Sequence, residues 1–296
     1  MEKPLTERVL NWFDQHGRHD LPWQRPATPY RVWVSEVMLQ QTQVDRVKPY
    51  FVDWMERWPD AASLADAEPA EVIRAWAGLG YNRRALNLHR AAVKVTDRFE
   101  GRVPTDEDTL KTLPGIGPYT AAAVHCFAGE RRTPVLDTNT GRVIARARLG
   151  AADMRTAGDR RTREAASELL PSRGARDWNL ALMDLGAMVC TARKPACDRC
   201  PLRNGCAWLL AGSPVAEGAG AAAVRFEETA RFARGRIVDA LRERDAMETL
   251  EIADLLPGAH AANVDTYLGG LERDGLIERL PGTERSWRLP GKATGR

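Results

Sequence analysis

Four cysteines, Cys190, Cys197, Cys200 and Cys206, form a C-x6-C-x2-C-x5-C array within seventeen residues. Thiols this close along the chain cannot be spread through a hydrophobic core, so the segment reads as a short loop around one metal centre. Pro201 follows Cys200, and no histidine stands among the four. Four thiolates without an imidazole suit an iron-sulfur cluster. A tetrahedral zinc site is the competing reading, and unligated or disulfide-bonded thiols are the plain one.

At 296 residues the chain can bury the cores of two compact domains or three small ones. No basic start leads into an apolar run, and no stretch reaches the roughly eighteen uninterrupted apolar residues of a membrane span. A cytoplasmic protein with no membrane partner is expected. The fifth cysteine, Cys126, lies in the run AAAVHCFA and is expected to be a small core residue. An odd cysteine count argues against a disulfide scaffold. The net charge of +3 is unevenly spread: residues 231–296 carry eleven basic and eleven acidic side chains, so the basic excess falls in the part that holds the cysteine array. An acidic polymer would dock there, although a surplus this small is a weak pointer alone.

Up to Gly212 the periodicity predicts helices, over 6–16, 30–54, 69–79 and 83–99, punctuated by Pro and Gly. No alternating strand pattern appears there. Residues 213–228 are rich in small side chains and lack periodicity, which predicts a linker. Three short helical patterns follow, near 229–244, 248–255 and 261–274. Two alternating runs, 276–280 and 286–289, then flank a turn at Pro281-Gly282. The expected fold is all-α, with a small winged-helix-like module at its C-terminal end. The module's neutral charge argues against strong DNA binding of its own.

Three segments carry chemistry. In LPGIGPYTAAAV, residues 113–124, Gly115 and Gly117 stand in a tight turn immediately before a helix-forming run. Exposed amides at a helix N-terminus suit a phosphate, in the manner of a helix-hairpin-helix DNA-binding motif. A turn closing an ordinary helical hairpin is the plain alternative. Asp137 follows an apolar run and precedes a helix carrying Arg142, Arg146 and Arg148. It reads as a helix N-cap or as a functional carboxylate. Glu36 stands among Val34, Val37, Met38 and Leu39, where enclosure would favour a protonated carboxyl able to donate a proton. A solvent-facing helix glutamate is the alternative.

Together these segments resemble a known family. The stretches SEVMLQQTQV, GLGYNRRALNLHRAA and LPGIGPYTAAAV, the DTN turn at 137–139, ALMDLGAMVC and the cysteine array occur in the order found in helix-hairpin-helix DNA glycosylases, nearest to the MutY-type adenine branch. The resemblance covers roughly two thirds of the chain. It implies an endonuclease III-like fold of two helical domains. Residues 1–22 and 130–212 would form the cluster domain and 23–129 a six-helix barrel with the helix-hairpin-helix. Residues 213–228 would be the linker and 229–296 the appended module. It also implies a [4Fe-4S] cluster on the four cysteines, with zinc reduced to a minor alternative.

The implied activity is that of a base excision repair hydrolase, a monomer acting on double-stranded DNA with mismatched adenine. Glu36 would protonate the N7 of a flipped adenine, and Asp137 would stabilise the positive charge that develops on the sugar. Tyr119 stands where the strand-cleaving branch of the family carries a lysine, so no Schiff base can form and the enzyme would be monofunctional. Gln40, Gln41 and Tyr81 lie in segments that enter and support the distorted DNA. Gly115 and Gly117, with Arg193 and Lys194 of the cluster loop, would meet phosphates. For Tyr81 a core aromatic is the alternative. The rival functions are a thymine glycosylase acting on T:G mismatches and a non-catalytic iron-sulfur DNA-binding protein.

Four departures from the family pattern stand out. Thr138 follows the aspartate where glycine is common, and Gly141 occupies the place of a basic or bulky residue. Asn82 replaces the second aromatic of the usual Gly-Tyr-Tyr segment. The C-terminal residues do not resemble the nucleotide-hydrolase-like domain with which longer members recognise 8-oxoguanine, so preference for the base opposite adenine is less defined than adenine removal.

Overall fold

A computed structural model describes residues 4–215 and 225–291 of the protein. Residues 216–224 of the expected linker lie outside the described residues. Contacts divide the chain into two compact units, one of residues 1–33, 105–112 and 116–220, the other of residues 34–104, 113–115 and 221–296.

The first unit is built around the helix Thr138–Leu149, on which Met154–Ala157, Asp159–Leu169, Ala175–Met188 and Ala207–Leu210 pack. Every residue from Thr140 to Ala147 is buried. Small side chains at Gly141, Ala145 and Ala147 let neighbours approach, and two arginines supply donors inside. The N-terminal helix Leu5–His16 contributes Val9, Trp12 and Phe13, spaced to share one face. Just beyond it, Arg18 pairs with the buried Asp184 at 2.5 Å, and the backbone N–H of Arg18 donates to the same carboxylate at 2.7 Å. A buried charge is tolerable only when so satisfied.

In the second unit the helix Arg83–Phe99 buries Leu86, Leu88, His89, Ala92 and Val95 along one side, and helices Ala61–Asp66 and Pro69–Ala75 cover it. Trp54 meets Trp58 and Trp76 edge to face, with centroids 4.7 and 5.5 Å apart. All nine tryptophans are buried, Trp23 and Trp33 among them.

The single helix expected over 30–54 is two helices, Pro29–Leu39 and Val44–Arg57. Between them Gln41 takes a left-handed conformation, φ +59°. The cause is tertiary. Arg84 Nη1 donates to the carbonyls of Val37, Met38 and Gln40 at 2.7, 3.1 and 2.6 Å, which satisfies the last carbonyls of the first helix without another turn. The segment QQTQ contains no Gly or Pro, so periodicity alone could not show the break.

The C-terminal module holds helices Ala230–Arg242, Thr249–Asp254 and Val264–Asp274. Strands β1 (Met247–Glu248), β2 (Glu278–Arg279) and β3 (Ser286–Arg288) form an antiparallel sheet of order β1-β3-β2. The expected strand pair is present. β1, at two residues, is too short to show alternation in the sequence. This order of helices and strands is winged-helix-like. The module's core of Ile237, Val238, Leu241, Ile252, Leu268, Leu271, Ile277 and Trp287 also takes in Ile73 and Leu86, so the module shares a core with the helices Pro69–Ala75 and Arg83–Phe99. Among the described residues no helix is long and apolar enough to cross a membrane.

Candidate active site and metal centre

The four cysteines stand at or just beyond the ends of three elements. Cys190 follows the helix Ala175–Met188, Cys197 opens a 3-10 turn that Cys200 ends, and Cys206 is the N-cap residue of Ala207–Leu210. All four are half-buried and none is in a disulfide. Burial pushes the Cys200 thiol up to about 11, and the neighbouring Cys190, Cys206 and Cys197 push in the same direction. Thiols that share one electrostatic neighbourhood suit ligation, which takes the proton off each. Among the described residues no three or more metal-binding side chains converge on a single-ion centre, so the choice of metal rests on the donor set and on the family comparison below.

Two arginines hold the loop. Arg142 Nε donates to the Cys190 carbonyl at 2.8 Å and Nη2 to the Gly186 carbonyl at 2.7 Å, and burial lowers its pKa. Arg146 donates to the carbonyls of Thr191 and Ala192 at 2.8 and 2.9 Å and reaches the Cys190 Sγ at 3.6 Å, while its guanidinium lies 4.5 Å from the centre of the Trp208 ring. These roles were not read from the sequence. Their signal is the i,i+4 spacing of two arginines on an otherwise apolar helix face. Arg193 and Lys194 are exposed at the tip of the loop. Cys126 stays apart from the array: it is buried, its thiol raised to about 11 by desolvation, and Asn179 Nδ2 donates to it at 3.3 Å.

Asp137 is an N-cap. Its Oδ1 accepts from the N–H groups of Asn139 and Thr140 at 2.9 and 2.7 Å and from the Thr140 hydroxyl at 2.9 Å. Oδ2 takes one bond, from Asn139 Nδ2 at 3.2 Å. The cap therefore fixes the carboxylate through one oxygen and leaves the other lightly bonded. The N-cap and functional readings are thus compatible. The turn is held from behind by a close approach: a Cβ on Gly186 would fall 2.9 Å from the Asn139 carbonyl oxygen, closer than real Cβ contacts come. Gly141, one of the departures from the family pattern, packs on Met154, whose Sδ would be 2.8 Å from a Cβ there.

Glu36 is 7% exposed, between Val34 and Ser35 at 0% and Val37 at 5%, so the solvent-facing alternative fails. Gln40 is half-buried and Gln41 exposed just beyond it. Tyr81 is 45% exposed and left-handed, φ +47°, which removes the core-aromatic alternative. A bulky residue at positive φ costs energy that the surroundings must supply, and such residues gather at functional sites. Arg84 supplies part of it, because Nη2 also donates to the carbonyls of Leu79 and Gly80 at 2.9 and 3.1 Å. One guanidinium, its pKa brought down to about 10 by burial, thus ties the Gln40–Gln41 turn to the Tyr81 turn. Nothing in the sequence marks Arg84 among the arginines of NRRALNLHR.

In the hairpin, Gly115 has φ +77° and a Cβ on it would meet Asn87 Cβ at 2.8 Å, so only glycine fits. Gly117 is the N-cap of the helix Pro118–Phe127, exposed, with nothing within 4 Å of where a Cβ would stand. Tyr119, half-buried, lies in that helix's first turn.

Residues 34–172 match the model of the HhH-GPD superfamily base excision DNA repair proteins, and residues 190–206 match the iron-sulfur binding domain of endonuclease III. A protein of Mycolicibacterium smegmatis named adenine DNA glycosylase is 47% identical over 273 residues, 92% of each chain. The chain belongs to the adenine DNA glycosylase family. Its cysteine loop is the family's iron-sulfur loop, and the zinc reading falls away. A match over 92% of the chain is too long to omit the C-terminal module, so this adenine glycosylase relative shares at least part of it. Among solved structures, a thermostable thymine-DNA glycosylase superposes with a TM-score of 0.64 at 30% identity, over 69% of this chain and 94% of that one. A non-covalent endonuclease III–DNA complex gives 0.58 at 21% identity, over 69% and 92%, a likeness of fold alone.

Proposed function

We propose that the protein is a monofunctional DNA glycosylase that removes adenine mispaired with 8-oxoguanine or guanine, acting as a monomer in the cytoplasm. The observation that carries this reading is the 47% identity to an adenine DNA glycosylase along nearly the whole chain. The buried Glu36 and the capped Asp137 supply chemistry consistent with it. A base cannot be cut from the sugar inside the stack, so the adenine must first be turned out. Gln40, Gln41 and Tyr81 enter the DNA, and Gly115, Gly117, Arg193 and Lys194 meet its phosphates. Glu36 passes its proton to adenine N7, so the base leaves neutral with the electron pair of the glycosidic bond. Asp137 stabilises the oxocarbenium ion left behind, directly or through a covalent ester. Water then adds to the sugar carbon and gives up a proton, leaving an abasic site. Tyr119 cannot form a Schiff base, so the strand stays intact.

In this reading residues 1–22 and 130–212 serve as the cluster domain, 23–129 as the helix-hairpin-helix domain and 213–228 as a linker. Cys190, Cys197, Cys200 and Cys206 would hold the [4Fe-4S] cluster, which when bound ties the loop into one rigid unit presenting Arg193 and Lys194.

Single-turnover base release from duplexes with adenine opposite 8-oxoguanine, adenine opposite guanine, and T:G tests the reading. Wild type should release adenine, with strand breaks only after alkali. Glu36→Gln should slow release by about 10^2- to 10^4-fold, the range for a lost general acid. Asp137→Asn should cost about 10^2- to 10^3-fold with folding intact, because asparagine caps a helix as well as aspartate. Release of thymine but not adenine, or trapping of the enzyme on DNA by borohydride, would overturn the proposal.

A further inference from the structure

Tyr81 and Asn82, which end the GLGYN turn, and Arg83, which opens the next helix, are held from the C-terminal module one after another. Arg231, in the first turn of Ala230–Arg242, places its guanidinium 5.0 Å from the centre of the Tyr81 ring and donates a hydrogen bond to the Tyr81 hydroxyl. Arg242, in the last turn of the same helix, donates to Asn82 Oδ1 at 2.8 Å and to the Ile73 carbonyl at 3.0 Å. Asp274, closing the helix Val264–Asp274, pairs with Arg83 at 3.4 Å and also with Arg234. Beneath them, Ile73 and Leu86 belong to the module's core. Asn82, which departs from the family pattern, is thus the acceptor for a buried arginine that the module supplies.

The contact at Tyr81 differs in kind from the other two. Arg242 is buried and Asp274 half-buried, whereas Arg231 and Tyr81 are exposed. Arg231 is also 4.9 Å from the ring centre of Phe226, itself 48% exposed. A guanidinium therefore sits between two exposed aromatic rings, while Arg84 stands 5.6 Å from the Tyr81 ring centre. Exposed aromatic rings interleaved with guanidinium groups suit stacking against nucleobases beside a phosphate chain. An exposed tyrosine at positive φ would otherwise be free to change rotamer. Bonding at its hydroxyl and against its ring fixes where the ring stands before DNA arrives, which lowers the ordering cost of binding.

We propose that the C-terminal module is a positioning element of the DNA-distorting site, with Arg231 as the positioning residue that presets Tyr81. This rests on the reading that Tyr81 enters the DNA. It gives residues 229–296 a role other than independent DNA binding, in keeping with their neutral charge.

The test is a double-mutant cycle on binding, which needs no base release. Affinities of the full-length, cluster-loaded protein are measured by fluorescence anisotropy for a duplex with a tetrahydrofuran abasic-site analogue opposite guanine, and for the same duplex undamaged. Tyr81→Ala should weaken binding to the lesion duplex by about 5- to 150-fold, the range for losing one stacking contact. Arg231→Met should weaken it by about fivefold, in line with a lost cation–π contact and hydrogen bond, with undamaged DNA bound within about twofold of wild type. Arg231→Lys should recover part of the loss. In the Tyr81→Ala background, Arg231→Met should have no further effect. The proposal is overturned if Arg231→Met weakens both duplexes equally, costs as much without Tyr81 as with it, or costs nothing. Adenine release by wild type, measured alongside, reports separately on the adenine reading, since the Tyr81–Arg231 coupling is read from binding alone.

Discussion

Between Cys190 and Cys206 the only buried hydrophobic side chain is Leu202, whereas the module from Phe226 to Leu289 contributes buried side chains from Ala233 to Leu289 to an apolar core that also takes in Ile73 and Leu86. The cysteine loop also contains little regular structure beyond a three-residue 3-10 turn. It is held by two arginines that reach its carbonyls, and its four cysteines are those of the family's iron-sulfur loop. The module is held by the burial of leucine, isoleucine and tryptophan side chains, two of its core partners, Ile73 and Leu86, coming from helices more than one hundred residues earlier. A short segment with almost no apolar surface to bury needs ligands and hydrogen bonds, while one whose core is continuous with neighbouring helices can rely on the hydrophobic effect. The two regions should therefore fail under different insults.

The largest effect expected is on the loop. Cys200→Ser should remove the visible iron-sulfur absorbance and DNA binding together, because ligand binding is folding energy for a segment of this kind. Hydrogen exchange should speed up across residues 190–206 and stay slow in the helices Ala230–Arg242 and Val264–Asp274. Equal loss of protection in both would break the contrast. Next in size, Trp287→Ala should destabilise the module by about 3–5 kcal/mol, as removal of a large buried aromatic does, without bleaching the iron-sulfur colour. Arg146→Met should cost about 2–4 kcal/mol of stability, since it strands the carbonyls of Ala152, Thr191 and Ala192, and it should make the iron easier to chelate. A chelation rate like that of wild type would show that the thiols alone shape the loop. The smallest effect belongs to Asp198→Asn. The Asp198–Arg203 pair within the loop is exposed, and such pairs contribute about 0–1 kcal/mol. A shift in melting temperature larger than this allows would mean that the pair does more than a surface ion pair can.

The same contrast decides what could be read in advance. The cysteine array was legible because metal ligation imposes residue type and spacing directly on the sequence. Asp137 and Glu36 were legible as candidates for a related reason: a carboxylate before a helix or inside an apolar run departs from the local pattern. The pinning of Asp137 is itself local, through Asn139 and Thr140, but local sequence did not say that Glu36 would be enclosed or that Tyr81 would be exposed, because both depend on how the rest of the chain packs. Arg84 shows the limit most clearly. It is one of three arginines within eight residues, yet it ends the helix Pro29–Leu39, supports the turns at Gln41 and Tyr81, and divides what periodicity predicted as one helix into two.

By itself the sequence determined the helical class, the metal-binding loop and the set of residues able to do chemistry. These follow from periodicity, from donor type and from spacing along the chain, which are local properties. The tertiary structure decided which arginines act as braces, where the Glu36 helix stops, and that the C-terminal module is built onto the helices around Ile73 and Leu86 and grips residues 81 to 83. Those outcomes rest on hydrogen bonds and apolar contacts between residues up to about 200 positions apart, whose formation depends on the whole chain having folded.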